Sequence, residues 1–137
     1  MNPIIRNILA VLAGLIAGSI INMSLIMISG SIIAIPDGVD NSTTEGLKAS
    51  MHLFEPRHYI MPFLAHALGT LVGATVASAI AIKNKLPVAL IIGAFFLVGG
   101  VMMVFQLPSP MWFNALDLII AYLPMAYLGF IITHKKT

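Results

Sequence analysis

The chain has 137 residues, of which 59% are hydrophobic and only 9% charged, with a mean hydropathy of +1.01. A soluble domain carries about 25% charged residues, so this composition belongs to a membrane and not to a large soluble core. The net charge of +2 comes without a basic folded surface, which excludes nucleic-acid binding, and the lack of cysteine excludes disulfides, thiolate metal sites and cysteine nucleophiles.

A first transmembrane helix is expected over about residues 5–33. Its apolar run is far longer than the 7–15 residues of a signal-peptide core, so it reads as a retained span. The segment Pro36-Asp37-Gly38-Val39-Asp40 makes a turn. Ser42-Thr43-Thr44-Glu45 has the form of a capping box, opening a short amphipathic helix over about 43–54. Leu47, Met51 and Phe54 share one face of it, and Lys48, His52 and Glu55 the other, as in a helix lying on the membrane surface. Further spans follow over about 59–82, 87–106 and 111–133, the last containing Pro124.

The expected fold is therefore all-α, a single domain over 1–137 forming an integral membrane four-helix bundle. Arg6, Lys83, Lys85, Lys135 and Lys136 fall on one side. Lys48 and Arg57 fall on the other, beside Asp37, Asp40, Glu45 and Glu55. The positive-inside rule then puts both termini in the cytoplasm and the surface helix outside. The expected location is a cell membrane of the bacterial inner-membrane kind.

Asp117 is the only acidic residue within an apolar run. Placing a carboxylate in hydrocarbon costs roughly 3 kcal/mol even on lenient scales, so such a residue turns toward protein and finds a partner or a proton. His66 lies at a matching depth, roughly 10 Å below the outer boundary. Asn22 is somewhat deeper on the first span, and Asn114 neighbours Asp117 at i, i+3. Asp117, His66, Asn22 and Asn114 are therefore the expected polar site. Gly14 and Gly18 on the first span, and Gly69 and Gly73 on the second, form G-x-x-x-G pairs that let helix backbones approach closely.

Other chemistry is weakly signalled. His52, Glu55 and His58 match no helical metal motif, and the methionines gathered toward the outer side fit ordinary core filling, so neither metal nor cofactor is expected. No nucleophile elbow or phosphate loop is present, which argues against an enzyme. The pattern does not resemble the small multidrug transporters, whose acidic residue lies in the first span. The expected partners are the lipid bilayer and either further copies of the chain or a larger membrane complex. The expected roles are transport of a proton, cation or small solute, or service as an accessory or scaffold subunit.

Overall fold

A computed structural model describes residues 1–134; the expected basic pair Lys135-Lys136 lies outside the described residues. Within them the protein is all-helical, and four helices or helix pairs are long and apolar enough to cross a membrane. The elements are α1 (Pro3–Ile32), α2 (Thr44–Ser50), α3 (Ile60–Ile80), α4 (Lys85–Gln106), α5 (Met111–Ile120) and α6 (Leu123–His134). Single 3-10 turns at Met51–Leu53 and Pro56–Tyr59 lead from α2 into α3. The side carrying α2 is the loop face, and the opposite side, with the start of α1 and the end of α6, is the terminal face.

At 1.5 Å per residue, the 30 residues of α1 reach about 45 Å, more than the ~30 Å hydrocarbon core of a bilayer. It must tilt or project. The helix starts at an Asn2 cap, whose side chain accepts from the Ile4 N–H at 2.8 Å, with Pro3 in the first turn where its missing N–H does no harm.

The helix at the centre is α3, which packs against α1, α4 and α6. Small residues make these approaches possible. A Cβ on Gly14 would lie 2.6 Å from the Gly73 carbonyl oxygen, and one on Gly18 would lie 2.7 Å from that of Gly69. The relation is reciprocal, since a Cβ on Gly73 would meet the Gly14 carbonyl oxygen at 2.7 Å. The two G-x-x-x-G faces therefore close on each other inside one chain. Below them Ala10, Ala74, Ala77, Ala89, Ile92 and Ala126 form a core with no exposed surface.

The terminal face is tied by side chains of α1 that bond to carbonyls at the end of α3 and in the turn after it. Arg6 Nε donates to Ile80 O at 2.7 Å, and Asn7 Nδ2 to Lys83 O at 3.0 Å. Asn84, in the left-handed region at φ 58°, then reverses the chain into α4. Buried Ser78 and Thr133 share a hydrogen bond of 2.8 Å between α3 and α6.

Three features differ from the sequence expectation. The fourth span is two helices, interrupted at Ala121-Tyr122. Pro124 has no N–H to offer the Ile120 carbonyl, and its ring crowds that oxygen, so the ladder breaks one turn before it. The helix on the loop face is α-helical only to Ser50 and tightens into a 3-10 turn, with Met51 buried against Tyr59 and Phe113. Its cap is Thr43, whose Oγ1 accepts from the Gly46 N–H at 2.9 Å. Ser42 instead donates both its N–H and its hydroxyl to the Asp40 carboxylate.

Two outcomes follow from this packing. Gly73→Leu should lower the thermal unfolding temperature of the detergent-solubilised protein, by about 3 kcal/mol or more in stability because the obstacle is a backbone oxygen. Gly30→Leu, where nothing stands within 4 Å, should leave the temperature nearly unchanged. On the loop face, hydrogen bonds from the Ser42 hydroxyl and N–H hold the Asp40 carboxyl below its ordinary range. A depressed carboxyl favours the folded loop above about pH 4, and that preference fades as pH falls through the folded midpoint. Ser42→Ala should raise the Asp40 midpoint in a carboxyl-carbon NMR titration.

Candidate functional site

Both α3 and α5 begin at the loop face, and His66 and Asp117 each lie six residues in, about 9 Å of helix. His66 Nδ1 and Asp117 Oδ1 are 2.8 Å apart. The other carboxylate oxygen, Oδ2, accepts a 2.9 Å hydrogen bond from the Tyr122 hydroxyl. Asp117 is only 4% exposed, so both oxygens are held away from lipid and water by protein donors. The Tyr122 ring also stacks on the His66 imidazole, centroid to centroid 5.9 Å.

Tyr122 was not evident in the sequence. On an unbroken helix five residues turn through about 500°, which would put Tyr122 some 140° around from Asp117. The interruption at Ala121-Tyr122 brings the phenol back to its carboxylate. Gly100 on α4 supplies the room: a Cβ there would stand 2.5 Å from the Tyr122 hydroxyl oxygen. The only sequence signals for this were Pro124, marking the break, and a glycine opposite it.

A carboxylate that already accepts from a phenol accepts its second hydrogen bond from the Nδ1–H of His66. Among the described residues Nε2 has no hydrogen-bond partner, and the His66 side chain keeps 25% of its surface exposed. His66 lines a cavity of about 340 Å³ between α1, α3 and α4. A positioned acid, an oriented imidazole and an open nitrogen form an arrangement that can take up or release a proton, or accept a hydrogen bond from a bound solute.

Asn22 reaches the cavity from α1. Its Oδ1 is buried without a hydrogen-bond partner, and its Cβ packs against Gly69. Asn114 is not brought to Asp117; its amide donates to the Ser109 carbonyl at 3.4 Å, within the turn that precedes α5. Gly69 lines the cavity floor beside Thr70, whose hydroxyl is turned back to the His66 carbonyl at 2.8 Å. Phe96, Met102, Met103 and Gln106 form the α4 wall. Gly14, Gly18 and Gly73 act at a distance, by setting how closely α1 lies on α3.

No known protein family, curated protein or solved structure matches the chain. The function must be read from the site.

His58, on the loop face, is a structural histidine. His58 is buried, its Nδ1 accepts from the Glu55 N–H at 2.8 Å, and its Nε2 lies 3.1 Å from the Ala34 carbonyl oxygen. It pins the segment after α1 to the start of α3 and has no free nitrogen for a metal. Among the described residues no group of three or more His, Asp or Glu side chains is placed to hold a metal ion.

Tyr122→Phe should keep the ring on His66 while removing one donor from a buried carboxylate, a loss of about 1.5–3 kcal/mol in stability. Gly100→Ala should produce the same change in the His66 ring-nitrogen NMR shifts without touching any member of the network, because it displaces the phenol. Matching spectra from the two variants are the expected result.

Proposed function

We propose that the protein is a four-pass bundle of a cell membrane, of the bacterial inner-membrane kind, with both termini cytoplasmic. Its outer-half cavity takes up a proton or a small solute for transport. The observation that carries this reading is the imidazole of His66 at the cavity wall, held by the Asp117 carboxylate that also accepts from Tyr122. An ionisable pair within a span is functional by default, since hydrocarbon makes it expensive to keep. The orientation is supported by Arg6, Lys83 and Lys85 on the terminal face, against the acidic residues of the loop face.

Beneath the cavity the alanine and isoleucine core is closed, so passage within one copy requires movement. The break between α5 and α6 is a natural hinge for it, being a site where the helical ladder is already open. An oligomer would add a second wall. The long helix α1 offers one, since Ile8, Leu12, Ile16, Ile20, Met23 and Met27 are exposed along it. That same stripe favours a second reading, in which the protein is an accessory subunit seated in a larger membrane complex.

Reconstitution into liposomes with an internal pH dye and an imposed potential separates the two. Transport predicts flux above that of empty liposomes and a fall of about a hundredfold in Asp117→Asn, the lower end of what a positioned proton-transfer group contributes. The variant should retain its elution profile and oligomeric state. Flux that is absent in the wild type, or unchanged in Asp117→Asn, overturns the transport reading and favours the accessory one.

A further inference from the structure

We propose that the open groove between α3 and α5 holds a phospholipid whose headgroup carries a primary ammonium, an inference that rests on the four helices spanning a bilayer and not on transport. Phosphatidylethanolamine is the simplest such lipid. The groove is separate from the His66 cavity and has a volume of about 450 Å³. Its walls come from the first turns of both helices, with Ile60, Phe63 and Leu64 on α3 and Trp112 and Leu116 on α5. Of these, Ile60, Leu64, Trp112 and Leu116 are exposed, so the groove opens to the surroundings of the bundle. An unfilled groove in hydrocarbon would forfeit dispersion contacts along its walls, and an acyl chain restores them. A partner helix, about 10 Å across, would rest on the rim, whereas a flexible chain enters.

Charge at the mouth selects the headgroup. The turn Pro56–Tyr59 leads directly into α3, so Arg57 stands at the loop-face end of the groove. Trp112, in the first turn of α5, stands at the same end, where an indole suits the membrane interface. Tyr59 holds it edge-on, with ring centroids 5.7 Å apart. Arg57 Nε pairs with Glu55 Oε2 at 3.0 Å, and the two side chains are 65% and 63% exposed. That contact uses one of the five N–H donors of the guanidinium, and the others can meet a phosphate. The exposed carboxylate can accept an ammonium N–H in the same way. A cation and anion side by side on the protein thus face the phosphate and ammonium of one headgroup. The loop face carries Asp37, Asp40, Glu45 and Glu55 against Lys48 and Arg57, so a headgroup of net negative charge is repelled. A choline headgroup has a positive charge but no N–H to donate to Glu55.

Trp112 is the only tryptophan in the chain, so its fluorescence reports on the groove alone. Bromine on an acyl chain quenches an indole that it touches. The full chain is placed in nanodiscs of phosphatidylcholine containing a minor fraction of one brominated lipid, phosphatidylethanolamine, phosphatidylcholine or phosphatidylglycerol, all with the same tails. Quenching should give phosphatidylethanolamine a relative affinity about threefold above each of the other two, the scale of one exposed ion pair. Glu55→Gln should bring phosphatidylethanolamine to parity with phosphatidylcholine, while brominated phosphatidylcholine still quenches and so reports an intact groove. Equal affinities in the wild type, a preference for phosphatidylglycerol, or an unchanged preference in Glu55→Gln overturns the proposal. So does quenching by none of the three, the result expected if a second copy or a protein partner covers the groove. A chain that does not enter the discs overturns the spanning reading and the proposal with it. Absent flux with the lipid preference intact removes transport alone.

Discussion

A carboxylate within a membrane span has to be satisfied by protein, and the arrangement around Asp117 follows from that constraint. One oxygen lies against His66 and the other against Tyr122, so the acid is shared between α3 and the break before α6. The same bonds orient the imidazole. With Nδ1 held by the carboxylate, the imidazole forms part of the cavity wall. A group that stabilises the helix assembly is thus also the group that sets the chemistry at the wall.

The cavity exists because packing is tight elsewhere. Facing glycines seat α1 on α3, and Gly69, at one end of that contact, lies on the cavity floor. Between α1, α3 and α4, space is left beside Gly99. The two α4 glycines act differently. Gly100 is filled by the Tyr122 ring, whereas Gly99 faces open volume. Below, the alanine-rich core closes the assembly.

The loop face adds an aromatic and hydrogen-bonded cover. Tyr59 stands 4.7 Å from the Phe113 ring, centroid to centroid, and Met51 is buried with them. His58, bonded on both nitrogens to backbone, holds the connecting segment in place. This fixes the starts of α3 and α5 together, and with them the common depth of His66 and Asp117. Covering side chains and site side chains therefore depend on one another through helix register.

The four apolar segments were legible in the sequence, because hydrocarbon imposes length and apolarity on any span regardless of what it packs against. The small-residue stripes were legible for a similar reason: helical periodicity puts Gly14 and Gly18, or Gly69 and Gly73, on one face. Depth counting brought His66 and Asp117 to one level, but a level is not a contact, and helix rotation decides which side chains meet. Asn114, one turn from Asp117 on paper, bonds to Ser109, while Tyr122, off-phase by periodicity, reaches the acid through the break before Pro124. Local pattern determined what the membrane demands of each segment taken alone. Only the packed structure decided which atoms face each other, because rotation, helix breaks and the space left by a missing Cβ are properties of several segments at once.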